Sequence, residues 1–96
     1  MRKQIKIIYL KKADKFLRKN KNILTEEVVD NLVILAIKKK IFDLDVNIDV
    51  KNLKGELQGK YRIRKGKIRI IIEIEEDEVI IQTIIDDINF RGEIYK

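Results

Sequence analysis

The chain has 96 residues, with 22 Lys and Arg against 16 Asp and Glu, a formal net charge of +6 and 45% hydrophobic residues. That length suits a single domain over residues 1–96 with a core of modest size, and the apolar share is sufficient for folding. Cysteine and histidine are both absent, which excludes disulfides, thiolate and imidazole metal ligands and the usual neutral-pH acid–base group. The cationic surplus fits a nucleic acid, an anionic surface or an acidic protein as partner. No apolar run is long enough to span a bilayer, and Lys6 and Lys11 interrupt the first one, so neither a membrane span nor a secretory leader is expected and the cytoplasm is the default location.

In chain order, Ile5, Ile7 and Tyr9 alternate and predict a first strand. The period then changes: Ala13, Phe16 and Leu17 share one face of a helix over 11–20, with lysines and Arg18 around the rest. After a polar break at Asn20–Asn22, Thr25 is positioned to cap a second helix, with Glu26 and Glu27 beside its exposed N–H groups. Val28, Val29, Leu32, Val33, Ala36 and Ile37 form its apolar stripe, and Lys38–Lys40 close it at the negative end of its dipole. The two helices predict a hairpin packed on a sheet. Ile41–Val50 alternates Phe42, Leu44, Val46, Ile48 and Val50 with Asp43, Asp45, Asn47 and Asp49, which fits an edge strand or an extended connector laid along the core. Its aspartates lack the glycine and closing glutamate of a calcium loop, so no metal site is expected there.

The stretch Gly59–Ile74 reads as two strands joined at Lys65–Gly66 or Gly66–Lys67. The first register sets Arg62 across from Arg69 and the second sets Arg64 there; in either, Arg62, Arg64 and Arg69 share one face. Like charges opposed across a sheet destabilise it, so their clustering favours an anionic partner. Arginine's planar fork suits phosphate, and Lys54, Lys60 and Lys67 would widen an RNA-binding patch. Glu75–Glu78 predicts an acidic turn, Val79–Ile85 a central strand apolar on both sides, Asp86–Asn89 its end, and Phe90–Lys96 a short tail. The fold class is α+β, in the order β-α-α-(β)-β-β-β: an N-terminal strand, a two-helix hairpin and an antiparallel meander of three to four strands.

The run L-K-G-x-x-x-G-x-Y-R-x-R over Leu53–Arg64, then Gly66-Lys67-Ile68-Arg69-Ile70-Ile71, then Phe90-Arg91-Gly92-Glu93-Ile94-Tyr95, resembles the RelE/ParE superfamily of toxins from type II toxin–antitoxin modules. The resemblance spans nearly the whole chain. It implies either a ribosome-dependent endoribonuclease that cleaves mRNA, as in the RelE branch, or a DNA gyrase inhibitor, as in the ParE branch; a degenerate module that only binds its antitoxin is the remaining option. Carried onto this chain, the RelE-type site residues are Arg62, Arg64, Arg69, Arg91 and Tyr95. The sequence departs from the pattern at Phe90, where a histidine is common, at Asn89, where some members are basic, and at Ile68, where a tyrosine is usual. The implied chemistry is attack of a ribose 2′-hydroxyl on the adjacent phosphate, without metal or cofactor. The arginines can stabilise charge, but arginine is a poor base. Tyr95 could stack on a base or exchange a proton, and Glu93 is the nearest carboxylate in sequence. The implied partners are the ribosome, mRNA and a cognate antitoxin encoded nearby. An acidic or amphipathic antitoxin segment would cover the helical hairpin or a sheet edge, with Ile34 and Leu35 as candidate contacts.

Overall fold

The computed structural model describes residues 3–90. Strand β1 (Gln4–Tyr9) leads into helices α1 (Lys11–Lys19) and α2 (Glu26–Lys40), followed by β2 (Asp49–Asn52), a 3₁₀ turn (Gly55–Leu57), β3 (Lys60–Lys65), β4 (Ile68–Glu76) and β5 (Ile80–Phe90). The five strands form one sheet in the order β1-β5-β4-β3-β2. Strands β2 to β5 are the expected antiparallel meander, and β1 returns parallel to β5 after the helices, with Ile5 beside Ile81 and Tyr9 beside Ile85.

One face of the sheet is apolar and meets both helices. Ile63, Ile70, Ile72, Ile81, Ile85 and Ile88 bury almost completely in one cluster with Ala13, Phe16 and Leu17 of α1 and Val29, Leu32, Val33, Ala36 and Ile37 of α2. Branched side chains on a pleated surface explain the choice of isoleucine, each burial contributing about 1.5–3 kcal/mol. The expected helix cap is present: Thr25 Oγ1 accepts from the Val28 N–H at 3.3 Å. Val28 itself is 41% exposed, so the buried stripe of α2 is narrower than its apolar sequence. Ile34 and Leu35 are half-buried, and Leu35 packs against the core. Tyr9 ties β1 to α2 by donating its hydroxyl to Asp30 Oδ1 at 2.6 Å; burial and then that hydrogen bond push the phenol well above its ordinary range.

One sequence expectation resolves and one shifts. Of the two readings of Ile41–Val50 the connector is adopted: only Asp49–Asn52 pairs, at the edge, while Val46, Ile48 and Val50 pack on the core. The chain spends Ile41–Leu44 closing α2, with Asp43 at φ +54° and the Leu44 N–H bonded to Lys38 O at 2.9 Å. Aspartate tolerates this left-handed conformation, and the turn breaks the alternation before pairing starts. β5 does not end at Asp86. It continues to Phe90 because β4 supplies partners that far, from Asp87 opposite Ile71 to Phe90 opposite Ile68, with a bulge that leaves Asp86 as the extra residue. Arg91, Glu93, Ile94 and Tyr95 lie outside the described residues.

Candidate nucleic-acid interface on the open sheet face

The β3–β4 hairpin turns at Gly66–Lys67, so the second of the two sequence registers is the one adopted. Gly66 has φ +57°, the positive value that the first central position of a two-residue loop demands. The register places Arg64 directly across from Arg69, with Cα atoms about 5 Å apart as in any such pair. Arg62, two residues back, lies on the same face, opposite Ile71 on β4 and Lys51 on β2. The three arginines therefore share the face opposite the helical core.

That face is organised in rows across the strands. Asp49, Arg64, Arg69 and Asn89 form one row; Lys51, Arg62, Ile71 and Asp87 form the next. Ile71 is buried yet stands apart from the core cluster, as its place on this face requires. Arg62 has a side chain only 5% exposed, and its Nη2 lies 3.3 Å from Oδ1 of Asp49, the diagonal neighbour on β2. Arg62 Nη1, Arg64 Nε and Arg69 Nε are buried without a hydrogen-bond partner among the described residues. Buried N–H groups left unpaired carry a desolvation cost of about 1–3 kcal/mol each, and more where the group is charged. Three of them on one patch concentrate cationic groups whose hydrogen-bonding capacity the described residues do not fill.

The lysines divide. Lys67 is exposed in the hairpin turn at the arginine end. Lys54 is exposed beside the 3₁₀ turn, where it lines a cleft with Asn52, Gln58, Gly59 and Tyr61, displaced from the arginine rows. Lys60 lies on the arginine face but is committed to two carboxylates, 3.0 Å from Asp86 Oδ2 and 3.7 Å from Glu73 Oε2. The bulge aims Asp86 at this pair. Hydrogen bonding to Asp86, followed by burial, raises the Glu73 carboxyl above its ordinary value. The open face therefore has a cationic end at the hairpin turn and a paired, acidic end beyond Arg62.

The sequence reading missed Asp49, Asp87, Asn89 and the Glu73–Asp86 pair as neighbours of the arginines. Alternation in Ile41–Val50 already put Asp49 on a polar face, but only the β2–β3 register brings it to Arg62 and Arg64. At Phe90, where the resembling family commonly has histidine, the ring packs edge-on against Phe16 with centroids 5.1 Å apart, holding the end of β5 against α1.

Solved structures with the same architecture include toxins and toxin–antitoxin complexes. A copper-bound mutant toxin from Helicobacter pylori superposes with a TM-score of 0.67 at 19% identity, over 93% of this chain and 97% of that one. The RelB–RelE antitoxin–toxin complex from Methanococcus jannaschii gives 0.57 at 22% identity, over 92% and 94%. A YoeB/ParE toxin from Agrobacterium tumefaciens gives 0.61 at 13% identity, over 90% and 98%. The chain has the RelE/ParE toxin fold. No protein-family model matches the sequence, and no curated protein matches it significantly. Among the described residues, no helix is long and apolar enough to cross a membrane.

Proposed function

We propose that this RelE/ParE-fold chain is the toxin of a toxin–antitoxin module and that it cleaves mRNA on the ribosome. The observation that carries the reading is the Arg62–Arg64–Arg69 cluster: three guanidinium groups with buried, unpaired N–H donors on one face of a fold shared with RelE toxins. Such donors suit the non-bridging oxygens of a phosphate whose charge grows during attack by a 2′-hydroxyl. Arg64 and Arg69 provide that stabilisation, Arg62 supports it from below, and Lys67 extends the field toward the RNA backbone. The family resemblance assigns Arg91 and Tyr95 to the same site; both lie outside the described residues. An antitoxin holds the toxin inactive, as the RelB–RelE complex of the structural relative suggests. An acidic antitoxin segment competing for the arginine face would do so by charge alone.

The test is induction of the wild type and of Arg69→Ala, with growth and mRNA integrity followed. Wild-type arrest with cleaved ribosome-bound mRNA, and release from both in Arg69→Ala, is the expected result. Arrest of equal strength from the wild type and from single alanine variants of Arg62, Arg64 and Arg69 would refute it. One observation favours a second reading, inhibition of DNA gyrase: Phe90 is engaged in packing against Phe16, at the position where a RelE-type imidazole would stand. Supercoiling and translation assays on the purified protein separate the two.

A further inference from the structure

Arginines can hold a phosphate and stabilise its charge, but the attacking 2′-hydroxyl must also lose its proton, and a guanidinium does not accept one. The open face offers carboxylates at several places, but only one of those described stands in the row of Arg64 and Arg69. Glu73 and Asp86 share Lys60 at the far end of the face. Asp87 accepts from Asn89 Nδ2 at 2.6 Å. Asp49 differs. It is the Cα partner of Arg64, in the same row as Arg69, and its side chain is 49% exposed. Its Oδ1 accepts from Arg62 Nη2 at 3.3 Å, and Oδ2 has no hydrogen-bond partner among the described residues. A nearly buried guanidinium thus fixes the carboxylate, and one oxygen is left open beside the two arginines that best fit a phosphate.

We propose that Asp49 is the proton acceptor of this face, a deduction that rests on the RNA-cleaving reading above. With a phosphate on Arg64 and Arg69, the preceding ribose 2′-hydroxyl gives its proton to Asp49 Oδ2. The 2′-oxygen uses the released electron pair to form the new O–P bond. The P–O5′ bond breaks with its electron pair on the 5′-oxygen, which takes a proton from water, and Asp49 returns its own proton to solvent. The products are a 2′,3′-cyclic phosphate and a 5′-hydroxyl. Arg62 is then a positioning residue, acting on the RNA through Asp49.

A carboxylate that served only as counterion to Arg62 would behave differently, and charge separates the two roles. Asp49→Asn removes a negative charge from an anion site while keeping the shape of the side chain. Binding to ribosomes programmed with mRNA carrying a 2′-O-methyl group at the cleavage site should be unchanged or tighter. Single-turnover cleavage of the unmodified mRNA should fall by about 100-fold or more, the usual worth of a general base. Asp49→Glu should recover part of the rate. Three results overturn the inference: Asp49→Asn cleaving at the wild-type rate; Asp49→Asn losing binding, thermal stability and cleavage together, the mark of a structural counterion; and Asp49→Glu recovering nothing while binding normally. A wild type that binds ribosomes but leaves mRNA intact would instead refute the cleavage reading itself, and the inference with it.

Discussion

Arg62→Met should make the protein more stable and less active. Arg62 carries a full charge with its side chain only 5% exposed, its Nη1 lacks a partner, and its one carboxylate contact is at 3.3 Å. Replacing a buried ion pair by apolar residues of similar volume is neutral or stabilising by up to about 4 kcal/mol, because the desolvation of both charges is recovered. Here Asp49 is half exposed, so it is already largely hydrated and is not stranded when Arg62 is removed. That places the expected gain near the low end, about 1 kcal/mol, which for a domain of this size raises Tm by roughly 4–8 °C. The methionine would lie beside Ile71, its cross-strand partner, which is itself buried on this face. Urea or thermal unfolding measures the gain, and growth arrest on induction measures the loss. The reasoning fails if Arg62→Met unfolds more easily than the wild type by about 1 kcal/mol or more, since the buried guanidinium would then be a structural brace rather than a cost tolerated for binding.

The other predictions rest on separate parts of the molecule. Arg64→Ala should slow mRNA cleavage by about 10–100-fold, the worth of one charge-assisted hydrogen bond of roughly 1.5–3 kcal/mol, and should leave thermal stability unchanged or higher because Arg64 opposes Arg69 directly. Glu73 has a carboxyl raised above 4.5 by Asp86 and burial, so its contribution to stability is present below that value and lost as pH rises through the raised one. Glu73→Gln should therefore unfold at higher denaturant than the wild type at neutral pH, with the difference vanishing in acid, as a pair of urea titrations would show. Tyr9→Phe should cost about 1–3 kcal/mol through the lost bond to Asp30. Because the Tyr9 phenol is raised above 10.0 in the folded state, its contribution is complete below that pH and fades above it. Wild-type and Tyr9→Phe stabilities should converge in strongly alkaline buffer.

Strand and helix periods were legible because the core is built from them. Alternate isoleucines along β4 point to one face, and Thr25 and Lys38–Lys40 mark the two ends of α2. Where the sequence misled, a local device had overridden the pattern. Asp43, in a left-handed conformation, consumed the start of an alternating run and made it a connector rather than an edge strand. At Asp86–Asn89 the polar residues that suggested a strand end are instead the open-face positions of a strand that continues, because Ile88 and Phe90 still meet the core. Polarity marks a strand end only when both faces are buried; β5 loses its second apolar face partway along and does not stop.

The arginine face shows the same limit from the functional side. Parity alone put Arg62, Arg64 and Arg69 together, because shifting a hairpin turn by one residue in both strands preserves which residues share a face. Their different environments could not be read that way. The adopted register sets Arg64 against Arg69 and leaves Arg62 beside the diagonal carboxylate of Asp49, so among the described residues Arg62 is paired with a carboxylate through one nitrogen while Arg64 and Arg69 have none. Lys60, equal to the others in sequence, is removed from the cationic group by a bulge that directs Asp86 onto it. A charge counts toward an anion site only if no carboxylate of the same chain already holds it, and that depends on partners 13 to 26 residues away in sequence for Arg62 and Lys60. Non-local pairing therefore sorts these cations into those engaged within the fold and those left for a ligand.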